Sequence, residues 1–117
     1  MNKKFELLLD DTVEYLGIKL FRIRALISFG NVEAGDIGGY IEKEDNLSVS
    51  GNAWVFVDAM VSGDAIVCGN AMVYGNARVS GNAWVYGDAE VYGNAMVSGD
   101  AMVSGDAEVF GDAERLS

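Results

Sequence analysis

The sequence contains no histidine, no proline and one cysteine, Cys68, among its 117 residues. Without histidine the chain lacks the commonest general base, and with a single cysteine it lacks the ligands of a zinc site. One cysteine also excludes an intramolecular disulfide and a disulfide-stapled extracellular scaffold. The absence of proline suits a backbone held in continuous ladders, because proline cannot donate a hydrogen bond to a ladder.

Basic residues and long apolar runs are scarce as well. Eight basic residues stand against 18 acidic ones, a net charge of −10, which disfavours nucleic-acid phosphate as a partner and favours a basic protein surface. The N-terminal segment MNKKFELLLDD has only a Leu-Leu-Leu run, too short for a signal peptide or a membrane span. We therefore expect a soluble cytoplasmic protein that binds neither nucleic acid nor membranes.

A six-residue repeat fills the chain from Ser48 onward. Eleven consecutive hexads carry valine second, from Val49 to Val109, and alanine sixth, from Ala53 to Ala113, while Val57 alone replaces the fourth-position glycine. Alanine and the valine two residues later point to the same side of a strand, and Gly-Asn or Gly-Asp supplies a positive-φ corner. The pattern predicts a solenoid of stacked short strands with valines 49–109 and alanines 53–107 buried.

The outward residues sort into columns when the hexads are laid out three per coil. Those after the valines define an aromatic face with Phe56, Tyr74, Tyr92 and Phe110, a serine face with Ser62, Ser80 and Ser98, and a mixed face with Ser50, Cys68, Tyr86 and Ser104. Those before the valines are Trp54, Met72, Glu90 and Glu108 on the aromatic face, Met60, Arg78, Met96 and Glu114 on the serine face, and Ser48, Ile66, Trp84 and Met102 on the mixed face. This 18-residue period predicts three strands per coil.

Residues 1–47 have a different character. FELLLDD and VEYLGIKLFRIRALI are predicted strands, and the stretch that follows them is rich in turn residues. We interpret residues 1–47 as an N-terminal β cap that covers the first coil of a repeat domain spanning residues 48–117. Such a cap prevents open-ended strand pairing.

The Ala-x-Val-x-Gly-Asn pattern resembles the hexapeptide repeat of left-handed β-helix proteins, which implies an all-β, left-handed parallel β-helix. The segment from Arg22 to Ser48, with FGNVEAGDIGGYIEKEDNLS followed at once by SGNAWVF, is similar to a family of phage and prophage hexapeptide-repeat proteins. Some bacterial relatives carry an acetyltransferase label. This resemblance is specific for architecture, and it implies the cytoplasm of a bacterial host cell.

The acyltransferase comparison does not extend to chemistry. Hexapeptide acyltransferases typically use a histidine base, which this chain lacks, and Cys68 follows a strand valine with no base to activate its thiol. Single carboxylates at the corners do not converge to the six or more oxygens that calcium takes. We predict that the chain is not an enzyme and has no catalytic residue, no cofactor and no metal site.

The apolar outward residues predict an interface instead. These candidate interface residues are Trp54, Phe56, Ile66, Met72, Tyr74, Trp84, Tyr86, Tyr92, Met102 and Phe110. They form more apolar surface than a monomer should expose, which favours a homotrimer, with end-to-end dimerisation through the C-terminal coil as a second route. The alternative interpretation is that stacked aromatics only stabilise the ladder.

Two functions from different classes remain. The favoured one is a non-catalytic, acidic, oligomeric interaction module that inhibits a host defence protein by occupying a basic surface. The alternative is a protein that sequesters a small molecule, such as a signalling nucleotide, in sites between subunits. A degenerate acyltransferase-like protein or a structural protein is less favoured. The acidic balance supports the first function, because a phosphate ligand requires basic residues.

Overall fold

The computed structural model describes residues 4–116, which form an all-β solenoid of about four turns with almost no helix. The strands are β1 Phe5–Tyr15, β2 Ile18–Ala25, β3 Ile37–Ile41, β4 Trp54–Val55, β5 Met60–Val61, β6 Ile66–Val67, β7 Met72–Val73, β8 Arg78–Val79, β9 Trp84–Val85, β10 Glu90–Val91, β11 Met96–Ser98, β12 Met102–Val103, β13 Glu108–Val109 and β14 Glu114–Leu116. One 3₁₀ turn spans Glu44–Asn46. Within the described residues, no helix is long and apolar enough to cross a bilayer.

The short strands pair in parallel at the spacing expected from the sequence. Met60 pairs with Arg78, and Arg78 pairs with Met96. The aromatic face lies on the sheet ordered β13-β10-β7-β4, and the mixed face lies on the sheet ordered β12-β9-β6. The serine face belongs to the larger sheet ordered β1-β2-β3-β5-β8-β11-β14. The columns predicted from the sequence are therefore neighbouring residues on three separate sheets.

The repeat valines and alanines form the core, as predicted for most of their length. Second-position valines from Val55 to Val109 and alanines from Ala53 to Ala101 are buried. Ala107 is only partly buried against this cluster. Ala107 lies in the last coil of the described residues, 4–116.

Val49 departs from the prediction that every repeat valine is buried. Its side chain is 56% exposed, while Leu47 is 2% exposed and forms an isolated parallel bridge with Val67. Regular pairing resumes where the Asn52 N–H donates to the Gly69 carbonyl at 3.0 Å. The larger leucine thus takes the inward position opposite Val67, and the chain bulges outward before the first corner.

The N-terminal segment is built of strands, as predicted, and covers the top of the solenoid. The predicted division of these strands was wrong, because the turn at Leu16 and Gly17 falls inside the predicted strand VEYLGIKLFRIRALI and β1 continues through Tyr15. β1 and β2 are an antiparallel hairpin, and β2 pairs antiparallel with β3. β3 in turn pairs in parallel with β5, with Ile41 opposite Val61. The parallel ladder therefore begins at β3. This strand lies within residues 1–47, which the sequence predicted to be the cap.

A buried lysine fastens the hairpin to the first coil. The Nζ of Lys4 donates to the carbonyl oxygens of Ser48 at 2.9 Å and Ala53 at 2.8 Å, and it lies 4.6 Å from the centroid of the Phe29 ring. Burial lowers the pKa of Lys4 to about 8. The two carbonyls belong to the upper end of the solenoid, so this amine satisfies backbone groups that no earlier coil can reach.

Candidate interaction surface

The aromatic face is a continuous stack of rings. The rings of Tyr74 and Tyr92 lie 4.8 Å apart and nearly parallel, at 3°, and those of Tyr92 and Phe110 lie 5.4 Å apart at 12°. Phe56 meets Tyr74 edge-on at 6.2 Å. Phe110, at the C-terminal end of the stack, is 54% exposed. The column predicted from the 18-residue period is thus a rigid apolar ridge along the solenoid.

Carboxylates run beside these rings. The hydroxyl of Tyr74 donates to Oε1 of Glu90 at 2.8 Å, and that of Tyr92 donates to Oε1 of Glu108 at 3.1 Å. Desolvation, followed by the hydrogen bond to Glu90, raises the pKa of Tyr74 to about 12. Desolvation and the bond to Glu108 likewise raise the pKa of Tyr92. The face is therefore amphipathic, with acids and rings in adjacent columns.

Trp54 does not lie on the surface, contrary to the sequence prediction. Its side chain is 1% exposed, and its ring packs edge-on against Phe29 at 5.3 Å and Phe5 at 6.4 Å. Phe5 comes from β1, and Phe29 comes from the turn-rich stretch. Trp54 therefore joins the cap to the core, and it is removed from the candidate interface residues.

An apolar depression lies on the aromatic face. It measures about 270 Å³ and is lined by Asn31, Phe56, Val57, Met72 and Tyr74. Four of these five side chains are apolar or aromatic, and Val57 is 57% exposed. Phe56, Met72 and Tyr74 were predicted interface residues, and the structure brings them together here.

Val57 distorts the corner beside this depression. Its φ is 58°, in the left-handed region that a β-branched side chain resists, whereas Gly75 adopts φ 70° at the equivalent corner below it. The Asn76 N–H donates to the Gly93 carbonyl at 2.8 Å. Within the described residues, the N–H of Asp58 makes no corresponding bond to Gly75. The sequence marked Val57 as an exception to the glycine rule, but it did not identify the site.

Arg22 holds this strained corner in place. Its Nη1 donates to the carbonyl oxygens of Gly38 at 2.7 Å and Val57 at 3.2 Å. Its guanidinium also pairs with Asp58 at 3.5 Å and Asp11 at 3.4 Å. The cap therefore positions Val57, and no pattern in the hexads could have predicted this contact between distant segments.

The mixed face retains exposed apolar side chains. Trp84 is 42% exposed and Met102 is 60% exposed, while Ile66 and Tyr86 are partly buried. The rings of Trp84 and Tyr86 meet edge-on at 6.4 Å. Three of the four predicted interface residues of this face, Trp84, Tyr86 and Met102, thus keep apolar surface accessible, and Ile66 lies on β6 beside the 3₁₀ turn.

Cys68 lies in the same column as Tyr86 and is half-buried. Burial raises the pKa of its thiol. Because the thiolate is the nucleophile, this shift lowers the reactive fraction at neutral pH. The environment is that of a packed side chain rather than an activated one.

The serine face is partly covered by the hairpin. The guanidinium of Arg78 lies 4.7 Å from the centroid of the Tyr15 ring, near the tip of the hairpin. Ser62 is buried, at 7% exposure. Nothing in the hexads predicts this cover, because Tyr15 belongs to the cap. In the part of the chain that the structure describes, no group of three or more histidine, cysteine, aspartate or glutamate side chains could hold a metal ion.

The comparisons with known proteins concern the repeat. Residues 71–87 and 89–105 match the model of the YdcK β-solenoid repeat. The two matched stretches run from Ala71 to Gly87 and from Ala89 to Gly105, and each includes strands of all three faces. No curated protein matches the chain. The match and the structure together establish a repeat protein of the β-solenoid type.

Proposed function

We propose that this protein is a non-catalytic, acidic, oligomeric interaction module of phage or prophage type, which inhibits a host defence protein by occupying a basic surface in the bacterial cytoplasm. The carrying observation is the exposed patch of Trp84 and Met102 on a chain with net charge −10. Exposed apolar patches rimmed by polar residues mark protein interaction sites. The net charge of the chain favours a basic surface on the partner.

The proposed architecture is a left-handed β-helix with three strands per coil. The pairing of residues 18 positions apart, such as Asn76 with Asn94, supports three strands per coil. The distribution of these pairs over three sheets supports the same arrangement. Left-handedness follows from the resemblance to hexapeptide-repeat proteins.

The proposed assembly is a homotrimer in which the mixed faces of the subunits meet around a three-fold axis. Ile66, Trp84, Tyr86 and Met102 supply the apolar contact. The aromatic face points outward in this arrangement, because Trp54 is buried and Glu90 and Glu108 make the rest of that face charged. Closed cyclic symmetry explains how such a patch avoids open-ended association.

End-to-end pairing is a second route to assembly. The last strands, β12, β13 and β14, have no further coil beyond them in the described chain. A Cβ added at Gly105 or Gly111 would meet no atom within 4 Å. Open strand edges of this kind are templates for pairing with a second copy.

The nucleotide-sequestering alternative is less well supported. Arg22 is engaged with Asp11 and Asp58, and Arg24 is paired with Glu6. Arg78 lies against Tyr15. Together with Lys19, which is exposed, these are the basic residues that a phosphate bound in a groove would require. Arg22 and Arg24 are held by carboxylates, and the buried Nε of Arg78 has no hydrogen-bond partner in the described residues.

A paired experiment separates the two functions. Purified protein is denatured and the released small molecules are identified by mass spectrometry, while tagged protein is used to capture host proteins from lysate. The interaction module predicts a stoichiometric protein partner whose capture weakens with added salt. A stoichiometric nucleotide without such a partner would favour sequestration.

Catalysis has a direct test within the same proposal. Turnover of acetyl-coenzyme A with amine acceptors should be undetectable, and Cys68→Ser should behave as the wild type does. A rate that disappears in the Cys68→Ser variant would contradict a non-catalytic role.

A further inference from the structure

The aromatic face places an apolar depression next to a row of carboxylates. Tyr74 belongs to both, because it lines the depression and its hydroxyl donates to Glu90. Among residues 4–116 the ion pairs are formed by Arg22, Arg24 and Lys43, and none of them involves Glu90 or Glu108. The carboxylates therefore lack a basic partner in the described chain.

Glu90 and Glu108 repel each other. They are paired in register on β10 and β13, and neighbouring strands lie about 4.8 Å apart. Like charges directly opposite each other on a sheet are destabilising. A lysine or arginine from outside would relieve this repulsion. A guanidinium could also stack on the exposed ring of Phe110, whereas the ring of Tyr92 is already stacked between Tyr74 and Phe110.

Val57 adds an apolar contact at a cost to the corner. Glycine at this position would adopt the observed φ of 58° without strain. The valine instead extends a half-exposed isopropyl group beside Phe56 and Met72. The corner itself would favour glycine, and the half-exposed isopropyl group of the valine is available for contact with an inserted apolar side chain.

We propose that the aromatic face docks a basic protein segment. One apolar side chain of the segment enters the depression between Val57 and Met72, and its lysine or arginine side chains pair with Glu90 and Glu108. The inference rests on the proposed interaction function and names its surface and partner chemistry. A second copy of this chain is disfavoured as the occupant of this face, because Arg22, Arg24 and Lys43 are already held in ion pairs within their own chain.

The first test uses a defined probe. A synthetic peptide with a central leucine flanked by two arginines on each side is titrated into the ¹⁵N-labelled full chain and followed by NMR. Shifts are expected at Val57, Tyr74, Glu90 and Glu108, and not at Ile66. Replacing the leucine by serine, or the arginines by glutamates, should abolish or greatly weaken the effect. Shifts spread evenly over all acidic residues, or no shifts at all, would overturn the proposal.

Two sets of variants separate docking from a structural role. Val57→Gly should raise the melting temperature while weakening peptide binding. The double variant Glu90→Gln with Glu108→Gln should bind roughly tenfold more weakly, the scale of a lost close charge pair. Glu14→Gln on β1 is the matched control, because it removes an exposed carboxylate outside the aromatic face, and it should leave peptide affinity unchanged. Unchanged affinity in both aromatic-face variants would overturn the proposal.

The oligomeric mass of the same variants decides whether the aromatic face is instead an interface between copies of this chain. If Val57→Gly or the double glutamine variant lowers the mass of the particle, the aromatic face is an interface between copies and the docking proposal is wrong. If the peptide fails to bind while wild-type protein remains an oligomer that depends on Trp84, this surface assignment fails and the proposed interaction function stands.

Discussion

The hydroxyl of Tyr74 donates to the carboxylate of Glu90 at 2.8 Å, across the step between two neighbouring strands of the aromatic face. Desolvation and this bond raise the pKa of Tyr74 to about 12 from an ordinary value of 10.0. The unfolded chain therefore loses this proton at lower pH than the folded chain. It follows that the contribution of Tyr74 to stability is present below pH 10.0 and is lost as pH rises toward 12.

Glu90→Gln should lower the pKa of Tyr74 without restoring it fully, because desolvation is the larger cause and remains. Absorbance of the phenolate during alkaline titration measures this change, and Tyr74→Phe identifies the titrating group. A titration curve that is identical in wild type and Glu90→Gln would show that the bond does not form in solution.

For Lys4 we expect stability to change with pH in the opposite direction. Its pKa in the folded chain is about 8, against 10.5 ordinarily, so between these values the folded state binds fewer protons than the unfolded state. Stability from this group should therefore rise with pH across that window. Urea unfolding of wild type and Lys4→Met at several pH values isolates the trend, because the tyrosines and Cys68 are common to both. A constant difference between the two proteins would contradict the burial of this amine.

The two tryptophans should behave differently although both precede a repeat valine. Trp54→Ala should cost roughly 3–5 kcal/mol of unfolding free energy, as expected for a large buried aromatic side chain. In single-tryptophan variants, Trp54 should emit at short wavelength and resist acrylamide, whereas Trp84 should become more accessible to the quencher as the protein is diluted. Equal quenching of both at every dilution would be inconsistent with a buried Trp54 and an interface at Trp84.

Cys68 should react slowly with thiol reagents. It is half-buried and burial raises the pKa of its thiol, so the thiolate fraction at neutral pH is small. Its rate with a disulfide reagent should be below that of free cysteine at the same pH and should recover on unfolding in urea. A native rate faster than that of free cysteine would indicate an activated thiol.

The repeat could be predicted from the sequence because its physics is local. Ala53 and Val55 are two residues apart, so both point inward from the strand. The recurrence of the outward residues every 18 positions identifies Tyr74 and Tyr92 as neighbours. The prediction that every repeat valine is buried was wrong for Val49. Leu47, two residues earlier, competes for the same inward position and fills more of it.

The candidate site depends on contacts that no repeat encodes. Trp54 is buried because Phe5 and Phe29 reach it from the cap, and their sequence separation gives no periodic signal. The sequence showed that Val57 replaces the glycine found at the fourth position of the other hexads. It did not show that Val57 contacts Arg22 or that it lines a depression with Met72.

The mixed-face contact can be tested by charge. Trp84→Lys together with Tyr86→Lys should reduce the particle to a smaller species, because the patch would be both less apolar and mutually repulsive. Deleting residues 114–117 removes β14 from its pairing with β11, so it should alter end-to-end pairing and leave the mixed-face contact intact. If the double lysine variant keeps the mass of the wild type, the exposed aromatic side chains only stabilise the strand ladder and form no contact between subunits.

The most direct test of an oligomeric interaction module is the molar mass of the wild-type particle by light scattering coupled to size exclusion. A homotrimer should have about three times the chain mass of 12.5 kDa at micromolar concentration, or a multiple of that mass where the C-terminal ends pair. A single species of 12.5 kDa across the whole concentration range would contradict it.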